Sequence, residues 1–113
     1  MKKFIIFRTD RLGDFLIITN IIKAIKEKYR NAHITVVGST YNKKIINSYK
    51  LINKTIIYNK NSSLGEKIFI FNSILKSNYY CSLSLDGKSF SNLVNFFLKA
   101  DKKFGISYVF NFF

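Results

Sequence analysis

A parallel β-sheet with helices on both faces is the fold that this sequence predicts, and three observations predict it. Short runs rich in Ile, Phe and Val alternate with longer stretches whose apolar residues recur every three or four positions. These are the periods of a buried strand and an amphipathic helix. The connections between them are short, which argues for strand–helix units layered on one sheet. The first apolar run, Phe4-Ile5-Ile6-Phe7, stops at the polar loop Arg8-Thr9-Asp10-Arg11-Leu12-Gly13-Asp14, and an amphipathic helix begins at once. In open α/β sheets this strand-to-helix turn binds ligands, because backbone N–H groups and the positive helix end converge there.

Residues 3–8 are rich in Phe and Ile and suit a buried strand. Over residues 14–30, Phe15, Ile18, Ile22, Ile25 and Tyr29 recur at three- and four-residue steps, which is one helix face. Residues 33–38 read as the second strand, closed by Gly38-Ser39, and Tyr41, Ile45 and Tyr49 suggest a short helix. Thr55-Ile56-Ile57-Tyr58 reads as the third strand and Asn61-Ser62-Ser63 as a turn. Ser63 with Glu66 has capping-box spacing and opens a helix through Leu64, Ile68, Phe71 and Leu75. Residues 79–85 read as the fourth strand, 89–99 as the fourth helix and 103–107 as a fifth short strand. The run Lys99-Ala100-Asp101-Lys102-Lys103 reads as a solvated turn.

At 113 residues the chain is one small domain, long enough to bury a core. A hydrophobic share of 48% against 22% charged residues is globular rather than disordered. No apolar run reaches the roughly 18 residues of a membrane span. Arg8, Asp10 and Arg11 end the apolar start too early for a signal peptide. Cys81 is the lone cysteine and His33 the lone histidine, so neither a disulfide framework nor a Cys/His metal cluster is expected. Both facts fit a reducing cytoplasm. The net charge of +13 would suit a polyanion or an anionic membrane surface. The composition offers a plainer cause. Lys, Asn, Ile, Phe and Tyr make up 64 of the 113 residues, and all have A/T-rich codons, so drift toward Lys explains much of the charge. That weighs against nucleic acid as the partner.

Several residues could carry chemistry. Asp14, at the start of a helix, is either a helix-end residue favoured by about 0.3–1 kcal/mol through the dipole or a working base. Gly13 serves a tight turn or a close ligand approach. Arg8 and Arg11 flank the loop, and guanidinium groups suit carboxylate or phosphate; a solvated charge is the alternative for Arg11. Thr9 and Asp10 bond either a ligand or the loop backbone. Asp86-Gly87-Lys88 follows the fourth strand and should share an edge with Asp14, although capping the next helix is the plainer role for it. His33 and Cys81 read as structural. No Gly-x-Gly-x-x-Gly fingerprint and no P-loop is present.

The loop Arg8-Thr9-Asp10-Arg11-Leu12-Gly13-Asp14 with Ile22-Lys23-Ala24-Ile25-Lys26 resembles the opening of heptosyltransferase-type glycosyltransferases, glycosyltransferase family nine. The resemblance continues through Asn31-Ala32-His33-Ile34-Thr35-Val36-Val37, Leu83-Ser84-Leu85-Asp86-Gly87 and Lys102-Lys103-Phe104-Gly105-Ile106. One departure is Asn20, where the family usually has a proline. The resemblance implies the Rossmann-like N-terminal half of a two-domain GT-B glycosyltransferase, so that residues 1–113 form an acceptor-side domain without the C-terminal donor-binding domain. Closing on Tyr108-Val109-Phe110-Asn111-Phe112-Phe113, the chain reads as an interrupted domain.

The resemblance also implies roles. Asp14 matches the family's proposed base. Arg8, Thr9, Arg11, Gly13, Asp86, Gly87 and Lys88 become candidate contacts to the acceptor, an anionic lipid-linked saccharide of the lipopolysaccharide core. The donor would be a nucleotide sugar of the ADP-heptose type, a substrate rather than a cofactor, and no metal is implied. A cytoplasmic protein, with peripheral contact to the inner membrane surface, follows. This chain alone is expected to be inactive. The rival reading is a non-enzymatic basic α/β binding module or a decayed gene fragment.

Overall fold

The computed structural model describes residues 2–8, 15–40, 43–59, 61–85 and 89–105. Nine elements alternate: β1 (Lys3–Phe7), α1 (Phe15–Lys28), β2 (His33–Gly38), α2 (Lys43–Ser48), β3 (Lys54–Ile57), α3 (Leu64–Leu75), β4 (Asn78–Ser84), α4 (Ser89–Phe97) and β5 (Lys99–Gly105). The strands form one parallel sheet in the order β3-β2-β1-β4-β5. β1 is central, as its all-apolar run requires, and its last four residues are buried.

The order explains which helix covers which face. The chain lays down β1, β2 and β3 in one direction, then returns to the far side of β1 for β4 and β5. Crossovers between parallel strands are right-handed, so reversing direction moves the helices to the other face. Accordingly Ile18 and Ile22 of α1 and Ile46 of α2 pack with Phe4, Ile6, Ile34 and Val36. Ile74 of α3, together with Val94 and Leu98 at α4, packs with Ile5, Phe7 and Val37. Successive β1 residues therefore feed two cores, and each fully buried Ile, Leu or Phe contributes roughly 1.5–3 kcal/mol.

Polar ties lock the layers. Lys26 Nζ donates to Ala32 O at 2.6 Å and to Asn53 Oδ1 at 2.9 Å, joining the end of α1 to the start of β3. Asn53 Oδ1 also accepts from the Ile34 N–H. On the other face the buried Ser82 hydroxyl donates to Asn95 Oδ1, and Asn95 Nδ2 donates to Phe104 O at 3.2 Å, linking β4, α4 and β5. Ser63 caps α3: its Oγ accepts from the Glu66 N–H at 3.3 Å, the bond its spacing predicts.

Three readings of the sequence need correction. The run Lys99-Ala100-Asp101-Lys102-Lys103 is not a turn but the first part of β5, paired with β4 from Asn78↔Lys99 onward. In the sheet as described β5 pairs on one side, and charged side chains are tolerated on an edge strand because they can reach water. Second, α4 ends at Phe97 rather than 99, because the chain must turn there into β5. Third, the stripe Leu64–Ile68 does not face the core. Ile74 is the buried residue of α3, with Ile70, Phe71 and Leu75 packed beside it. The other boundaries hold within two residues.

Candidate functional site

The sheet has one switch point, between β1 and β4, where the chain's outward and return paths diverge. Open parallel sheets bind ligands there, outside the carboxyl ends of the strands. Phe7, the last residue of β1, pairs with Ser84, the last of β4. The two loops singled out in the sequence, following Arg8 and following Leu85, therefore leave the sheet side by side. α1 begins at Phe15 and α4 at Ser89, each with no acidic residue in its first turn, so two positive helix ends face this edge from opposite sides of the sheet.

Of the predicted site residues, Arg8 is described. Asp14, Thr9, Arg11 and Gly13 lie outside the described residues, as do Asp86, Gly87 and Lys88. Arg8 is half-buried and tied to both neighbouring strands. Its N–H donates to Val37 O of β2 at 2.9 Å. Its Nη1 donates to Leu85 O at 2.5 Å, and the Leu85 N–H returns a bond to Phe7 O at 3.1 Å. The guanidinium thus spans the mouth between β1 and β4 and holds the two loop origins together. A planar group fixed in this way keeps its orientation and places positive charge at the switch point.

Two hydroxyls at the same edge escaped the sequence reading. Ser84 ends β4 and is fully buried; Ser39 follows β2 and is 6% exposed. A serine closing an apolar strand before a loop was the signal available. His33 begins β2 at the opposite, amino-terminal edge, across from Lys3. Burial, with Lys3, Lys26 and Lys54 nearby, pushes its pKa below the ordinary histidine value. Cys81 lies buried in the α1-side core, and burial pushes its thiol pKa up, so it is a packing residue rather than a nucleophile. Among the described residues no group of His, Cys, Asp and Glu could hold a metal.

No protein-family model matches the sequence, and no curated protein is similar to it; the likeness to known proteins is in the fold. A glycosyl transferase family 9 structure from Veillonella parvula DSM 2008 superposes with a TM-score of 0.76 at 16% identity, over 96% of this chain and 32% of that one. The ADP-heptose LPS heptosyltransferase II of E. coli superposes with a TM-score of 0.66 at 21% identity, over 86% of this chain and 28% of that one. The chain therefore spans about a third of the length of the solved structures it matches. Its five-stranded parallel sheet with helices on both faces is a glycosyltransferase-like α/β fold.

Proposed function

We propose that this chain is the acceptor-side domain of a glycosyltransferase of the heptosyltransferase type. The observation that carries the reading is the juxtaposition at the β1/β4 switch point, in a fold shared with two such enzymes: the loop origins at Arg8 and Leu85 are bonded to each other. In the proposed reaction an acceptor hydroxyl attacks the anomeric carbon of a nucleotide-activated sugar. The new C–O bond forms as the bond to the diphosphate breaks, and the nucleotide leaves with that electron pair. Asp14, immediately before α1 in sequence, takes the hydroxyl proton. Arg8, Arg11 and Lys88 meet the anionic groups of a lipopolysaccharide-core saccharide, while Thr9, Gly13, Asp86 and Gly87 shape its seat. The donor, of the ADP-heptose class, is held by a part of the enzyme that these 113 residues do not include, and the work is done on the cytoplasmic side of the inner membrane.

The test joins these residues to the remaining two thirds of a family-nine enzyme. Asp14→Asn keeps the shape but removes the base, so turnover should fall by roughly 10²–10⁴ with little change in apparent substrate affinity. If Asp14 is only a helix-end residue, Asn serves nearly as well and near-normal turnover would end the claim. A second measurement addresses the division of labour: tight calorimetric binding of an ADP-sugar by the isolated chain would refute an acceptor-side role.

A further inference from the structure

Tyr29, directly after α1, and Tyr80, in β4, meet near the amino-terminal edge of the sheet on the α1 side, 51 positions apart in the chain. Their hydroxyls hydrogen-bond at 3.5 Å, and their rings cross at 64° with centroids 5.7 Å apart. Buried Phe4 touches both rings, at 5.7 Å from Tyr29 and 5.6 Å from Tyr80, so the three hold one another in place. Cations surround the pair. Lys2 Nζ lies 3.7 Å from the centre of the Tyr80 ring and 5.1 Å from that of Tyr29. Lys102 Nζ lies 5.6 Å from the Tyr80 centre, and Lys28 Nζ 5.6 Å from that of Tyr29. The two phenols do not ionise alike. The hydrogen bond with Tyr29, and then Lys102 and Lys2 close by, pull the Tyr80 pKa below the ordinary tyrosine value. The same bond, and then burial, push that of Tyr29 up. Tyr80 therefore ionises first, with the Tyr29 O–H donating to its oxygen.

We infer that Tyr29 and Tyr80 are a site of oxidative cross-linking, joined ring to ring by a carbon–carbon bond when a peroxidase-class one-electron oxidant acts on the chain. A phenoxyl radical carries much of its unpaired electron on the ring carbons beside the oxygen. The hydroxyl contact brings those carbons of the two rings together. Each phenol gives up one electron and one proton. One hydrogen peroxide takes both electrons and both protons and leaves as two waters. The two radicals then pair as the ring carbons bond, and the hydrogens on those carbons move to the oxygens, which restores both aromatic rings. Phe4 has no hydroxyl, so it forms no phenoxyl and serves as the wedge that orients the pair. Cys81, beside Tyr80, is a buried thiol whose pKa burial pushes up, so it stays protonated and competes poorly for the oxidant. The fold supplies the proximity that two separate phenols lack. The link would tie the end of α1 to β4 at the edge opposite the β1/β4 mouth, and it forms whether or not the chain serves in glycosyl transfer. Like any cross-link between distant positions, it removes freedom from the unfolded chain.

Treating the 113-residue chain with hydrogen peroxide and a peroxidase tests the inference. The monomer should lose the mass of two hydrogens and gain the blue fluorescence of dityrosine. A digest should join the peptide holding Tyr29 to the one holding Tyr80. Tyr29→Phe and Tyr80→Phe should each lower the yield in the monomer by roughly tenfold or more, because the neighbouring phenol is gone. Tyr58→Phe, on the opposite face of the sheet, should leave it unchanged. Phenylalanine keeps the ring packing, so both variants should melt in urea close to the parent. The parent chain oxidised in concentrated urea should form the link far less than the folded one. Once cross-linked, the chain should unfold at a higher urea concentration than before. A monomer without the link, a link as abundant in the unfolded chain, or the lost hydrogens mapped to Cys81 would overturn the inference. So would dityrosine found in dimers and absent from the monomer.

Discussion

The two faces of the sheet are built alike on the inside and differently on the outside. On the α1/α2 face, fully buried Ile18, Ile22 and Ile46 look inward, while Asn20, Lys23, Ala24, Glu27 and Lys28 of α1 look outward. That is a finished surface, with the apolar stripe spent on the core and polar groups left for water. On the α3/α4 face the inward side is equally dense around Ile74, Val94 and Leu98, yet the outward side is dominated by Phe, Leu and Ile. The difference teaches that folding this domain does not need the outer residues of α3 and α4. A helix that stays apolar all round is either buried or bound, and here burial accounts for one side of each helix.

The sharpest way to break the contrast is to cut both faces in the same manner. Ile22→Ala, inside the α1 core, should cost 2–5 kcal/mol of stability, because the cavity adds to the lost transfer energy. Phe69→Ser, a larger deletion on the outer α3 surface, should stay within about 0.5 kcal/mol in the same urea titration. A large loss at Phe69 would mean that the outer face is part of the core after all. Next in size is the polar tie specific to the α4 side. Asn95→Ala strands the buried Ser82 hydroxyl and the Phe104 carbonyl, and should cost about 1–3 kcal/mol. If Asn95→Ala melts like the parent, β5 is held by its ladder alone.

Smaller effects refine the picture. Ser63→Ala removes the cap of α3 and should lower stability by about 1 kcal/mol; no change would show that the inner contacts of Ile74 alone hold the helix. The smallest effect concerns pH and the amino-terminal edge of the sheet. His33 has its folded pKa lowered by burial and by Lys3, Lys26 and Lys54. The unfolded chain then binds the proton more readily, so stability present near neutrality is lost as pH falls below about 6.5 and through the lower folded value. Thermal melts at pH 7.5 and pH 5 should show this loss flattened in His33→Asn. A pH dependence identical in the two proteins would assign it elsewhere.

The order of elements and the parallel sheet were legible in the amino acids themselves. Period-two and period-3.6 patterns depend on local geometry alone, and the Ser63–Glu66 cap is a contact three residues long. Ile18 and Ile22 declare their inward side because Asn20, Lys23, Glu27 and Lys28 mark the opposite one. α3 gives no such contrast, so its buried side had to be decided by packing. The same holds for contacts between residues far apart in the chain. Arg8 reaching Leu85 O joins positions 77 apart, and no local pattern encodes it. The charged first half of β5 reads as a turn in the sequence, and it becomes strand because β4 offers an unpaired edge. Along β4 the alternation itself slips: Tyr79 packs into the α4-side core, whereas Tyr80 and Cys81, adjacent in sequence, both pack on the α1 side. Sequence alone determined what depends on neighbours along the chain, namely the helices and most strands. Only the tertiary structure decided what depends on neighbours in space, because desolvation and hydrogen bonding act on whichever group the fold brings near.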